Sequence, residues 1–300
     1  MAISRREFLK SGLGVLAAAP LAASPLFSWA ARAETVNPYT PLLITATGTS
    51  PAENVRRALQ ALGGIEKFVK KGSKVLLKPN SMTRLGPNFA VNTHPDVVRE
   101  VARLCRLAGA SAVLALSHDD PSSWEGNGIG KALHDEGALY RSTNEASQYQ
   151  AVNLPLGMIL RETMVVKELL EYDVFINLPI AKHHAGSQLT LGLKNYMGLN
   201  WDRQIMHRTD LNQTIADLAS VRRADLTIVD ATRILLTNGP GGPGSTREIQ
   251  MVIASEDPIA ADAYTATLFK QEPQDIRHLR AAYELGLGEM NLKQMVIQAV

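Results

Sequence analysis

The chain has 300 residues, of which 45% are hydrophobic and 20% charged, a composition that is typical of globular proteins and excludes a disordered or fibrous chain. The single cysteine, Cys105, excludes an internal disulfide and a cysteine-ligated iron–sulfur cluster. The formal net charge is +2, but without residues 1–33 the chain keeps 27 basic and 28 acidic residues. A chain so close to neutrality gives no electrostatic reason to expect nucleic acid or an anionic membrane as a partner.

Residues 1–33 predict a twin-arginine export signal. Arg5 and Arg6 precede a stretch of 21 uncharged residues, 11–31, and Ala31-Arg32-Ala33 has the small-x-small pattern of a cleavage site. We therefore expect the twin-arginine export machinery as a partner and the periplasm as the location. The alternative is a retained membrane anchor, but two prolines and two glycines make the stretch a poor spanning helix. No stable membrane span is expected in the mature protein.

After residue 40, short apolar runs alternate with segments of helical periodicity. The apolar runs predict strands at 42–46, 74–78, 112–116, 151–154, 173–178, 226–229 and 249–254. The periodic segments predict helices at 51–62, 95–108, 128–136, 164–170, 211–221 and 258–269. This alternation predicts a single α/β domain over residues 34–300, built on a mainly parallel sheet with helices on both faces. Residues 117–149 show no clear period, and we expect a lid or an insertion over the sheet edge.

Polar side chains lie at the ends of four predicted strands. Ligands of open α/β sheets lie beyond the carboxyl ends of the strands, so we expect these side chains to share one edge of the sheet and to form the site. They are Lys78 and Asn80, His118 and Asp119, Lys182 and His183, and Asp230 and Arg233.

The run Lys182-His183-His184 is the sharpest local feature of the sequence. Adjacent histidines point in different directions in most backbones, so we expect at most one of them to face the site. We assign His183 as an acid–base group or metal ligand, with Lys182 and Asp230 as catalytic partners. The lysines and the arginine of the strand ends are expected to bind negative charge. The alternative interpretation of the run is a solvated loop after a strand.

His118 and Asp119 carry the side chains that magnesium, manganese or zinc prefer. Together with His183 and Asp230 they are the candidate ligands of a divalent metal, which is the only cofactor that the residues suggest. The alternative for His118 and Asp119 is a polar turn before Pro121.

Three further residues have both a functional and a structural interpretation. His94 precedes Pro95, so it is either a ligand-binding residue or a helix cap. Asp262 is surrounded by alanines, which would let a ligand or another backbone approach, and we place it in the ligand site. Cys105 lies on the apolar stripe of its helix and is expected to be a buried, inert thiol.

Several common catalytic and nucleotide-binding motifs are missing from the sequence. It contains no nucleotide P-loop, no G-x-G-x-x-G after the first predicted strand, no G-x-S-x-G and no H-E-x-x-H. Nucleotide and dinucleotide sites, serine hydrolases and zinc peptidases are therefore disfavoured.

Seven ordered blocks, 75–81, 93–98, 175–184, 189–198, 215–218, 227–231 and 254–263, resemble the bacterial and archaeal proteins grouped as domain of unknown function 362. The resemblance runs from about residue 75 to residue 288 and implies family membership but no reaction. It directs attention to Lys78, Asn80, His94, Lys182, His183, Lys194, Asn195, Asp230, Asp257 and Asp262, and not to His118 or Asp119. Some relatives also carry a cysteine-rich, ferredoxin-like segment, which this sequence lacks.

The leading hypothesis is a periplasmic enzyme that acts on a small anionic molecule, with Lys194 and Asn195 as additional ligand-binding residues. A non-catalytic periplasmic protein that binds or helps to mature a small ligand or a metal would use the same pocket. A purely structural partner of another exported protein would have no small-molecule site.

Overall fold

The computed structural model describes residues 40–300, so the predicted export signal lies outside the described residues. The strands are β1 (Leu42–Thr47), β2 (Lys74–Pro79), β3 (Ala112–Ser117), β4 (Leu139–Ser142), β5 (Tyr149–Asn153), β6 (Glu162–Val166), β7 (Val174–Leu178), β8 (Ile180–His184), β9 (Gln188–Thr190), β10 (Leu226–Leu235), β11 (Thr246–Ser255) and β12 (Val296–Ala299). The α-helices are α1 (Pro51–Ala61), α2 (Pro95–Leu107), α3 (Ser122–Gly126), α4 (Ile129–Asp135), α5 (Glu168–Glu171), α6 (Gly192–Asn195), α7 (Arg203–Arg208), α8 (Leu211–Ala219), α9 (Pro258–Thr267) and α10 (Arg277–Glu284).

The main sheet has the strand order β12-β1-β11-β10-β7-β2-β3-β4. Strands β10, β7, β2, β3 and β4 are parallel to one another, whereas β11 is antiparallel to both of its neighbours. Strand β8 continues the sheet beside the end of β10 and forms an antiparallel pair with β9. The predicted α/β fold with a mainly parallel sheet is therefore confirmed.

Helices cover both faces of this sheet. Successive residues of a strand point to opposite faces, and in the central strands both sets of side chains are apolar and buried. On one face, Leu76 and Phe175 pack in a buried cluster with α8, α9 and α10. On the other, Leu77 and Ile176 pack in a second cluster with α1, α2 and α4. Each of these side chains is fully buried, and burial of one such side chain contributes about 1.5–3 kcal/mol to stability.

Three helices begin at capping residues that directly precede a proline. The Ser50 hydroxyl accepts a hydrogen bond from the Glu53 backbone N–H at 3.3 Å, and the His94 ring accepts one from the Asp96 N–H at 3.1 Å. Asp257 accepts hydrogen bonds from two N–H groups in the first turn of α9. The side chain satisfies donors that the first turn leaves unpaired, which fixes where each helix starts.

Two sequence predictions in the middle of the chain were wrong. Residues 164–170 do not form one helix, because β6 pairs in antiparallel register with β5 and only the single turn α5 follows. The segment 117–149 is not an insertion over the sheet edge, since it contains α3, α4 and the edge strand β4 itself, which pairs with β3.

The described residues form one compact unit. Among residues 40–300, no helix combines the length and the apolar character needed to cross a membrane.

Candidate anion-binding site

A cleft of about 470 Å³ lies beyond the carboxyl ends of β2 and β3 and is walled by β8, β9, α6 and α7. Its volume is in the range of small-molecule sites. Asp119 is the one carboxylate among the described residues that line it. The basic and imidazole side chains in its lining are Lys78, Lys182, Lys194, Arg203, His184 and His207.

Lys182 is a fully buried residue in the lining of this cleft. Its Nζ donates to the backbone oxygen of Val91 at 2.6 Å and the side-chain oxygen of Asn80 at 3.1 Å, with the Met82 sulfur at 3.2 Å. Lys182 is fully buried, and this burial lowers its pKa to about 7 despite the opposing effect of Asp119. Lys182 therefore presents a buried amine that can be charged or neutral near neutral pH.

A hydrogen-bonded chain joins Lys78 to the one carboxylate of the cleft. The Lys78 Nζ donates to Ser117 Oγ at 3.0 Å and to the backbone oxygen of Pro79 at 2.5 Å, and the Ser117 hydroxyl donates to Asp119. The guanidinium of Arg203 lies 4.0 Å from the same carboxylate. Burial lowers the pKa of Lys78 to about 8, although Asp119 acts in the opposite direction.

Lys194 projects from the short helix α6, whose position is set by Asp262. The Asp262 carboxylate accepts hydrogen bonds from the backbone N–H of Gly192 at 2.7 Å and of Leu193 at 2.9 Å. Asp262 is fully buried, and burial raises its pKa to about 7. This predicted ligand-binding residue thus fixes the segment that carries Lys194, and it does not line the cleft.

Strand alternation places His184, and not His183, in the cleft. Lys182 and His184 lie on the same side of β8 and both line the cleft, whereas the His183 ring accepts a hydrogen bond from the Gly239 N–H at 3.1 Å. The Nδ1 of His184 accepts hydrogen bonds from the N–H groups of Gly186 and Ser187, so the ring proton resides on Nε2. Burial, together with Lys194 and Lys182, lowers the pKa of His184 to about 3.

Two asparagines predicted as ligand-binding residues tie the walls of the cleft together. Asn195 donates to the backbone oxygen of Lys78 and to the side chain of Asn177, both at 2.8 Å. Asn80 donates to Asn195 at 3.1 Å, while its oxygen receives the amine of Lys182. These bonds hold β2, β7 and α6 at a fixed spacing.

Asp230, His94 and Arg233 lie away from this cleft. Strand β10 continues to Leu235, so Asp230 and Arg233 belong to the strand and do not follow it. The Asp230 carboxylate accepts hydrogen bonds from the backbone N–H groups of His94 at 2.7 Å and of Thr232 at 2.9 Å. His94 and Arg233 line a second cleft of about 290 Å³, where Arg233 lies 3.4 Å from Glu248.

The four candidate metal ligands do not come together. Asp119 lines the main cleft, but the His118 ring lies 3.0 Å from the Tyr149 hydroxyl and packs beside Trp201. His183 and Asp230 occupy other parts of the fold, as described above. Across residues 40–300, no group of three or more histidine, cysteine, aspartate and glutamate side chains is arranged to hold a metal ion.

The cleft also contains residues that sequence reasoning did not identify. Ser117, His184, Arg203 and His207 all line it, and so does Thr190, whose buried hydroxyl forms no hydrogen bond within the described residues. The alternating pattern of a strand through residues 180–184 would have selected His184. No comparable signal marks Arg203 or His207, because the short helix α7 reaches the cleft only through the tertiary fold.

Comparisons with known proteins find one family and one curated relative. The family described as Domain of unknown function (DUF362) matches residues 75–267. The thylakoid-associated protein sll1697 of Synechocystis sp. is 29% identical over 252 residues, which cover 78% of this chain and 75% of that protein.

Two solved structures resemble part of the chain at 12% sequence identity. A protein from Thermotoga maritima matches with a TM-score of 0.47 over 75% of this chain and 60% of its own. The lactate racemase apoprotein from Thermoanaerobacterium thermosaccharolyticum matches with a TM-score of 0.48 over 75% of this chain and 56% of its own. The chain thus spans less than two thirds of either solved protein.

Proposed function

We propose a function from the chemistry of the main cleft, because the chain belongs to the family described as Domain of unknown function (DUF362), whose name states no reaction. The proposed function is to bind a small anionic molecule, such as a carboxylate or phosphate, and to act on it as an enzyme. The cleft residues Lys78, Lys182, Lys194 and Arg203 supply the positive charge.

One observation carries this proposal: four basic side chains line one cleft against a single carboxylate among the described residues. Removal of cations from water is costly unless an opposite charge compensates them. Asp119 is partly engaged already, since it accepts the Ser117 hydroxyl and lies beside Arg203. A bound anion would supply the missing compensation, and its charged hydrogen bonds would be stronger than neutral ones.

The test is calorimetric titration of the protein with phosphate, oxalate, malonate and pyruvate. Replacement of one cation, Arg203→Gln, should raise the dissociation constant of any bound anion roughly tenfold, the loss of about one charged hydrogen bond. The control is Arg106→Gln, which changes an exposed arginine of α2 outside the cleft and should bind as the wild type does. The proposal is contradicted if no anion binds the wild type, or if the two variants change the dissociation constant equally.

The second candidate is a non-catalytic binding protein that uses the same cleft. One observation favours it: Asn80, Met82 and Val91 already hold the amine of Lys182 in place, as expected for a group that positions a ligand and does not react with it. Such a protein would hold its anion unchanged. Nuclear magnetic resonance of the incubated anion separates the two candidates, because an enzyme alters the ligand spectrum and a binder does not.

The proposed setting is the periplasm, reached through the twin-arginine export machinery. Its support is the pair Arg5 and Arg6, the uncharged stretch 11–31 and the small-x-small pattern at 31–33, all of which precede the described residues.

A further inference from the structure

Lys194 differs from the other two lysines of the cleft in the environment of its amine. Lys78 and Lys182 donate to nearby oxygens, whereas Lys194 forms no side-chain hydrogen bond or ion pair within residues 40–300. Lys194 nevertheless lines the cleft and is only partly exposed. Its amine is therefore the one of the three that is free to react with a bound molecule.

The surroundings of Lys194 increase the fraction of neutral, nucleophilic amine. Burial and the nearby charge of Arg203 lower its pKa to about 8, and no carboxylate pairs with it among the described residues. A desolvated lysine beside another cation is the usual arrangement for an amine that attacks a carbonyl group.

The groups that an attack on a carbonyl requires lie in the same cleft. His184 is a neutral imidazole whose protonated nitrogen is Nε2, so it can donate a hydrogen bond without carrying charge. Thr190 is 3% exposed, and its buried hydroxyl lacks a hydrogen-bond partner within the described chain. Both are available to a polar group of a ligand.

We propose that Lys194 forms an imine with the carbonyl group of a small 2-oxo carboxylate held in the cleft. This inference rests on the proposed function, because the carboxylate is the anion that the other basic side chains bind. In a 2-oxo acid the carbonyl carbon is bonded directly to the carboxylate carbon, so one compact molecule presents both groups. Lys78 and Arg203 bind the carboxylate while Lys194 meets the carbonyl.

The reaction balances without an oxidant or reductant. The Lys194 nitrogen bonds to the carbonyl carbon, the carbonyl oxygen takes up a proton, and the nitrogen loses one, which gives a carbinolamine. The C–O bond then breaks, the hydroxyl group leaves as water with the proton that the nitrogen gives up, and a C=N bond remains. His184, which lines the same cleft and carries its proton on Nε2, can donate a hydrogen bond to the oxygen during these steps.

The test is reductive trapping of the full-length protein with pyruvate and sodium cyanoborohydride, followed by intact-mass and peptide mass spectrometry. The reductant converts the imine to a stable secondary amine, so one adduct is expected on Lys194. Lys194→Arg keeps a positive charge but removes the nucleophilic amine, and the adduct should be lost. Lys131→Arg changes an exposed lysine that pairs with Asp135, and the adduct should remain. Lactate, which has no carbonyl group, should give none.

An adduct on Lys78 or Lys182, or one spread over the exposed lysines, overturns the proposal. So does the absence of an adduct with both pyruvate and the smaller 2-oxo acid glyoxylate. Peptide mapping of the wild type identifies the modified lysine directly, so the test does not depend on the folding of Lys194→Arg. If calorimetry shows that pyruvate binds but no adduct forms, the anion site stands and the imine does not. If no anion binds the wild type, the proposed function itself fails.

Discussion

Burial lowers the proton affinity of two lysine amines in the cleft, those of Lys78 and Lys182. Lys78 is 1% exposed and Lys182 is fully buried, so each loses the hydration that stabilises an ammonium group. Their hydrogen bonds to backbone and side-chain oxygens replace only part of it. The folded state therefore holds these protons less tightly than the unfolded chain does.

We expect the free energy of unfolding to rise with pH above neutrality. The pKa of Lys182 is about 7 in the folded protein and 10.5 in a solvated chain, so between these values the unfolded state binds one more proton. Stability then increases with pH, by up to about 1.4 kcal/mol per pH unit for one group. Urea denaturation at intervals from pH 7 to pH 9 measures the slope.

The variant Lys182→Met isolates the contribution of one amine, since methionine is unbranched and apolar and cannot be protonated. Its slope against pH should be smaller than that of the wild type, while the exposed-lysine variant Lys131→Met should keep the wild-type slope. An identical slope in Lys182→Met would show that this amine stays charged in the folded protein.

The short helix α6 depends on a side chain that lies far from it in the sequence. Asp262 projects from α9 and accepts hydrogen bonds from two backbone N–H groups at the start of α6. The carboxylate is fully buried. Water cannot replace those two bonds if the carboxylate is removed, because the donors are buried.

We therefore expect Asp262→Ala to reduce the free energy of unfolding by about 2–5 kcal/mol, the cost of leaving two buried donors unpaired. Asp202 makes the same pair of bonds to Gln204 and Ile205 at the exposed start of α7, so Asp202→Ala should cost only about 1 kcal/mol. Urea denaturation compares them. Equal losses would mean that burial of the α6 donors is unimportant.

Strands were predictable from the sequence wherever an apolar run was long enough. Strand β7 was predicted to within one residue because every residue in it is buried. Strand β6 was mistaken for part of a helix because Met164, Val165 and Val166 are apolar in succession, and only pairing with β5 identifies them as a strand. The side that a polar residue faces was less predictable, as His183 and His184 illustrate.

The cleft was predictable in part from the rule that sites lie beyond parallel strand ends. Lys78 and Asn80 come from the end of β2, Lys182 comes from β8, which follows the end of β7, and all three line the cleft. Asp230 does not, because β10 extends past the predicted strand end and turns this carboxylate toward the start of α2. Arg203 and His207 reach the cleft through the packing of α7, which local sequence patterns do not report.

The predicted export of the full-length protein can be tested by substitutions in its N-terminal segment. Replacement of Arg5 and Arg6 together by lysine should prevent transport, because the paired arginines define a twin-arginine signal. Cell fractionation should then find the protein in the cytoplasm, and N-terminal sequencing of the wild type should find cleavage after Ala33. Arg32→Lys, in the same leader, should be exported normally. Equal export of the double variant would contradict the assignment.

The strand β1 has partners that are synthesised much later. It pairs with β11, from Leu43 opposite Ser255, and with β12, from Leu42 opposite Val296. While the ribosome makes the intervening chain, the two strands that pair with β1 in the finished sheet have not yet been synthesised. Its exposed edge is a template for wrong pairing until Val296 and Ile297 emerge. The pairing of β1 is therefore complete only after synthesis of these residues, and in a nascent chain stalled before them one side of β1 is unpaired.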